Sequence, residues 1–293
     1  MNWRRTTDRN FNGVFDFLIK NETASIAVFN RMMRPDKAKE TWWVPPRRNG
    51  ILLSMEYQGK VIAAALISRN GLLLPVFGDA PSAFAAETLV REIRALRQPL
   101  TTVMGMKKHV DMLARNIGDA VGARVDYYYM LNRYPDIIKA QIEKDSIFRS
   151  DDGLKIRLAG EKDCDRLFEL HREYELEEVL LDKSTFRPDF SYMYLKQILR
   201  NEIVYMLELD GQAIAKCNSN ARSPGFLQIG GMFTKKEFRN KKYKSLILNS
   251  LMLHTADLKK HSALFVKKDN KTAIRLYEKT GFSGIDEYTI IYC

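Results

Sequence analysis

The strongest constraint on the fold is an order of elements that occurs twice without any repeat of sequence. In the first half, helical spacing over Phe11–Ile19 and Ala24–Met33 precedes alternating runs at 51–57 and 60–68 around the turn Gln58-Gly59,. A strand at 72–77, a helix at 82–96, a strand at 100–104, a helix at 107–117 and a strand at 124–132 follow. The second half repeats this order. A strand at 154–158 and helices at 163–180 and 192–200 lead to a hairpin, 203–209 and 212–220, around Asp210-Gly211, a type I′ signal because both central positions need positive φ,. A strand at 226–234, a helix at 245–258, a strand at 262–266, a helix at 270–280 and a final strand at 288–292 complete it. The expected class is α/β of the mixed-sheet α+β kind. Two domains of like topology stand in tandem, residues 1–133 and 154–293, joined by a polar linker over 134–153 that is partly helical in pattern near Ile137–Ile142,.

A chain of 293 residues that is 45% hydrophobic can bury a core of this size,. The N-terminal stretch MNWRRTTDRN has no apolar signal core, and uncharged apolar runs such as Val61–Ile67 are too short to span a bilayer,. A cytoplasmic protein without a membrane partner is therefore expected. Cys164, Cys217 and Cys293 are odd in number and widely spaced, with only 4 His in the chain, so neither a disulfide framework nor a metal site is indicated,. The formal charge of +11 favours anionic partners, but it is spread: +8 up to Ser150 and +3 beyond,. Basic doublets are isolated and no aromatic-basic stripe is present, which speaks against nucleic acid,. Composition does not fix the oligomeric state.

The stretch FRNKKYKSL, residues 238–246, holds four cations between Arg239 and Lys244 and runs into an apolar helical pattern. Three features surround it. Gly230-Gly231 lies inside a strand, the mark of a bulge or of close approach by a ligand,. The backbone N–H groups near Asn240–Lys244 become the free donors of a helix N-terminus, where an anion is favoured,. Asn270 can cap a later helix that carries Tyr277 two turns on, and Gly281 closes that helix,.

These residues resemble the GNAT acyl-CoA-dependent N-acetyltransferases. The strand-turn-helix IGGMFTKKEFRNKKYK is similar to the family's strand followed by R/Q-x-x-G-x-G/A, and NKTAIRLYEKTGF is similar to N-x-x-A-x-x-L-Y-x-x-x-G-F, with Asn270, Ala273, Leu276, Tyr277, Gly281 and Phe282 in register. The resemblance covers about 154–293, and the first half looks like the degenerate partner of tandem GNAT proteins. It implies two GNAT-like domains, with acetyl-CoA as co-substrate in the second and an amine as acceptor. Met232, Phe233, Thr234, Arg239, Asn240, Lys241, Lys242, Tyr243, Lys244, Asn270 and Ala273 would then bind the coenzyme. Tyr277 would protonate the leaving thiolate and Glu178 would accept the amine's proton, with Glu177, Glu173, Glu202 and His171 as alternatives. Lys242 and Lys244 depart from the pattern, because they stand at its two small positions, where glycine permits positive φ,. A catalytically silent acyl-CoA binder is therefore an alternative, and a nucleic-acid accessory protein a more remote one.

Overall fold

The computed structural model describes residues 1–35, 41–45, 50–79, 82–118, 121–133 and 153–293. The linker expected over 134–153 falls almost wholly outside them. The described residues build one 12-stranded mixed sheet and a separate two-stranded ribbon.

In the first half, β1 (Trp3–Arg5) precedes helices α1 (Phe11–Lys20) and α2 (Glu22–Met32), and the ribbon β2 (Met33–Pro35) and β3 (Thr41–Trp43) follows. Next come β4 (Gly50–Tyr57), β5 (Lys60–Ser68), β6 (Leu72–Phe77), α3 (Ser82–Ala95), β7 (Thr102–Met106), α4 (Lys107–Ile117) and β8 (Arg124–Asn132). The second half runs β9 (Leu154–Leu158), α5 (Cys164–Tyr174), a π-helical turn over Glu175–Val179, α6 (Pro188–Asn201), β10 (Val204–Leu209), β11 (Gln212–Arg222) and β12 (Phe226–Thr234). It ends with α7 (Tyr243–Asp257), β13 (His261–Lys267), α8 (Lys271–Lys279) and β14 (Ser283–Tyr292).

The apolar patterns explain these elements. In β5 and β6, side chains alternate between a cluster under α3 and α4 (Ala65, Ile67, Leu73, Phe77) and a cluster under α1 and α2 (Ala64, Leu66, Leu74, Val76). A strand covered on both faces reads as a continuous apolar run. In the second half, Ile247, Leu248, Leu251 and Met252 of α7 join Ala273 and Tyr277 of α8 on one face, while α5 and α6 pack Leu167, Leu170, Leu195 and Leu199 on the other. The Asp210-Gly211 turn has the expected positive φ, 50° and 80°, and Gln58 and Gly59 share that geometry at 49° and 71°.

The strand order is β1-β4-β5-β6-β7-β14-β8-β13-β12-β11-β10-β9. The last strand of each half is thus exchanged: β14 pairs antiparallel with β7, and β8 pairs antiparallel with β13. The two exchanged strands also pair with each other, Tyr288 opposite Tyr127. A further seam lies at α2: Glu22 accepts the Gly225 N–H at 2.6 Å, Asn30 Oδ1 accepts the Arg222 N–H at 3.1 Å, and Tyr129 donates to the Thr23 carbonyl at 2.8 Å. Among the described residues, no helix is long and apolar enough to cross a membrane.

Two expectations need correction. β1, β2 and β3 were missed, being three residues each and too short to show alternation. The single helix expected over 163–180 is α5 followed by the π-turn; an i to i+5 turn leaves no distinct periodicity in sequence, and π-turns gather at functional sites,.

Candidate active site

Parallel strands β12 and β13 pair only from Phe226–Ile229 with His261–Leu264. Beyond that, β12 bulges: the register against β11 slips between Lys216/Phe233 and Asn218/Gly230, and Gly231 takes φ 55°. A Cβ at Gly230 or Gly231 would collide with the amides of Asn220 and Asn218 respectively. Glycine is required here by both conformation and space. The bulge frees backbone groups near Met232 from the ladder and opens a wedge between β12 and the end of β13.

The turn from β12 to α7 forms one wall of the wedge. Asn240 and Lys242 both have φ of 63°, and Lys242 is the residue immediately before α7. The left-handed geometry associated with glycine is therefore kept with lysine in place, at a cost of about 1 kcal/mol. Arg239 clamps the turn: its Nε donates to the Thr234 carbonyl at 3.0 Å, its guanidinium pairs with Glu177 at 2.8 Å, and it lies 5.2 Å over the Phe233 ring. Glu177 is thereby occupied, its carboxyl held below the ordinary range by hydrogen bonding from Arg239. Lys241 sits 5.5 Å over the Phe238 ring, which also packs on Tyr243. Lys244 is half-buried, and its ammonium is pushed down by desolvation and partly restored by Glu178.

On the opposite wall, Asn270 Oδ1 accepts the Ala273 N–H at 3.1 Å and caps α8. Ala273 and Tyr277 are buried, and Tyr277 stands edge-on to Phe282. Burial, with lesser contributions from Cys217, Tyr174 and Glu178, raises the Tyr277 phenol well above its ordinary value, so it stays protonated. Glu178, half-buried on the π-turn, exerts its charge on Lys244, Tyr277 and Tyr174, and on Tyr127 of β8. Through β8 the first half thus reaches the wedge.

Among the alternative proton acceptors, Glu202 pairs with Arg222 at 3.0 Å. His171 is 1% exposed with neither ring nitrogen hydrogen-bonded, and desolvation pushes it down to about 3, so it is neutral.

Sequence reasoning missed Lys216. It is 1% exposed, donates to the Gly231 carbonyl at 2.9 Å and to Asn218 Oδ1 at 3.2 Å, and lies 4.5 Å over the Tyr174 ring. Complete burial pushes its amine down to about 8. The usable signal was period two in β11: Lys216, Asn218 and Asn220 are polar residues at alternate positions of the strand,. In the first half, the Phe77 ring of β6 packs 5.5 Å from the ring of His109 in α4.

These features match a known fold. A family model described as Acetyltransferase (GNAT) family matches residues 164–282. No curated protein sequence matches significantly. Among solved structures, a tandem GNAT protein from the clavulanic acid biosynthesis pathway is 12% identical with a TM-score of 0.59, covering 100% of this chain and 98% of that one. A Drosophila protein is 13% identical with a TM-score of 0.61, covering 99% and 98%. A GNAT-family acetyltransferase from Colwellia psychrerythraea is 10% identical with a TM-score of 0.54, covering 100% and 99%. Residues 164–282 thus match the model of the acetyltransferase (GNAT) family, in a chain that has the fold of tandem GNAT proteins.

Proposed function

We propose that the protein transfers an acetyl group from acetyl-CoA to an amine by direct attack. The division is a degenerate GNAT-like domain at 1–133, a linker at 134–153 and the coenzyme-binding domain at 154–293. The observation that supports this best is the wedge itself. A glycine bulge parts β12 from β13, and the following turn keeps left-handed φ at Asn240 and Lys242 although one of the two is lysine. A decayed loop has no reason to retain that conformation. Backbone N–H groups at 240–244 lie at the N-terminus of α7, suited to the pyrophosphate,, and Arg239, Lys241, Lys242 and Lys244 add positive charge. Met232, Phe233 and Thr234 would line the acyl arm, with Asn270 and Ala273 on the far wall.

When bound, acetyl-CoA supplies an acyl thioester as electrophile. The Met232 N–H polarises the thioester carbonyl, a single-donor form of oxyanion stabilisation. Glu178 accepts the proton of the incoming ammonium. Tyr277, held protonated by burial, gives a proton to the leaving sulfur,. A silent acyl-CoA binder is the second reading, favoured by Lys244, whose half-buried side chain stands where the family pattern has a small residue.

Calorimetry with acetyl-CoA, together with release of free thiol in the presence of mixed amines, tests both. Binding with thiol release is the expected result. Binding without release for any amine would favour the silent reading, and no binding at millimolar coenzyme would overturn both.

A further inference from the structure

Beside the wedge, on the face covered by α5 and α6, lies a cavity of about 700 Å³ between the two halves. Asn30 and Arg31 of α2, Tyr194 and Gln197 of α6, and Asn220 of β11 are among the residues that line it. Its charge is one-sided: four arginines, Arg31, Arg69, Arg200 and Arg222, line it against one carboxylate, Glu202. Two of the four are occupied. Arg222 pairs with Glu202 at 3.0 Å, and Arg200 pairs with Glu161 at 2.8 Å. Arg31 and Arg69 have no carboxylate partner among the described residues, and both are exposed residues lining the cavity. An unpaired guanidinium lining a cavity is a receptor for a planar or tetrahedral oxyanion, which it binds with two parallel hydrogen bonds.

A row of hydrogen-bonded side chains, buried at Lys216 and Asn218 and exposed at Asn220, connects this cavity to the wedge. Asn220 lines the cavity and lies against Gly230; Asn218 donates to Asn220 Oδ1 at 2.8 Å, and Lys216 donates to Asn218 and to the Gly231 carbonyl. From Gly230 to Met232 the strand advances about 7 Å. Asn30, next to Arg31, accepts the Arg222 N–H, and Arg222 lies opposite Leu227, five residues before Met232, so an anion at Arg31 is farther from the Met232 N–H than the carboxylate of an α-amino acid could be from its own amine.

We propose that this cavity holds the anionic end of the acceptor, a primary amine bearing a carboxylate or phosphate several bonds from its amino group, with Arg31 and Arg69 as its receptors. This rests on the acetyl-transfer reading for the identity of the ligand as acceptor; the anion site itself does not.

The test uses the full chain, saturated with acetyl-CoA, and follows thiol release with matched pairs. These are γ-aminobutyrate and its carboxamide, glycylglycine and glycylglycinamide, and O-phosphoethanolamine and ethanolamine, with glycine and glycinamide as the short pair. The expected result is a preference of roughly ten- to a hundredfold in kcat/KM for the anionic member of a longer pair, the range for one charge-assisted contact, and none for glycine over glycinamide. In Arg31→Gln with Arg69→Gln that preference should collapse through KM while acetyl-CoA affinity is unchanged. Whether the carboxylate or the phosphate pairs show it distinguishes the two sources of charge. Equal use of charged and neutral members, or a preference that survives the double substitution, overturns the proposal and leaves acetyl transfer standing. If no amine releases thiol, glycylglycine is titrated directly by calorimetry. Binding lost in the double variant then keeps the anion site and sinks the transfer reading, and no binding sinks the anion site as well.

Discussion

At the scale of single residues, the turn before α7 shows how a departure from a motif can leave its geometry intact. Lys242 holds φ 63° without a glycine's freedom, so Lys242→Gly is expected to stabilise the fold by about 1 kcal/mol, measured as an increased urea midpoint at constant slope. If lysine charge assists the phosphates, Lys244→Gln should weaken acetyl-CoA binding by about 1 to 3 kcal/mol, with a loss that shrinks at high salt. Tyr277→Phe keeps the ring that packs on Phe282 and removes only the proton donor. Its kcat should fall about a hundredfold or more with coenzyme affinity unchanged, and equal kcat would return Tyr277 to a packing role. Lys216 has a sign of its own. Its folded pKa of about 8 lies below the ordinary 10.5, so between those values the unfolded chain binds the extra proton and stability rises with pH. Integrated, that slope amounts to about 3 kcal/mol. Lys216→Met should remove it, a difference visible in unfolding free energies measured at pH 7.5 and 10.5 on both proteins.

At the scale of elements, the exchange of β8 and β14 decides what can be separated. Cut at 153, the second half loses β8 and leaves β13 with an open edge from Ser262 to Lys267, while β14 loses its partner β7. Exposed edges template aggregation. Residues 154–293 expressed alone should therefore be insoluble or oligomeric, and co-expression with residues 1–133 should restore a soluble complex. A monomeric, folded 154–293 fragment by gel filtration and circular dichroism would contradict the importance of the exchange. The elements themselves were largely legible: the helix expected at 107–117 has those bounds, and the Asp210-Gly211 hairpin has the expected φ values. The π-turn was not, because whether a helical run tightens or widens depends on what its last turn must reach. Here it places Glu177 against Arg239, a residue far along the chain.

At the scale of the whole molecule, one sheet joins both halves and each core buries a histidine. Desolvation pushes His109 down to about 4 and His171 down to about 3, from an ordinary value of 6.5. Below 6.5 the unfolded chain takes up protons that the folded one refuses, so stability present at neutral pH is lost as pH falls through the interval from 6.5 to those values. Melting temperatures should drop between pH 7 and pH 4.5, and less steeply for His109→Phe, which suits an apolar site beside Phe77. Because the sheet is continuous, both halves should unfold in one transition, and two resolved calorimetric peaks would show that the exchanged strands do not couple them. By itself, the sequence determined the local elements, since period and turn chemistry are properties of neighbours along the chain. It also determined the coenzyme-site candidates on 230–281, which lie close enough together to form one motif. Only the tertiary structure decided which half completes which, that Glu177 is occupied while Glu178 faces the wedge, and that Lys216 is buried. It alone assembled the arginine cavity, whose walls come from α2 and α6, brought together by a sheet order that no local pattern specifies.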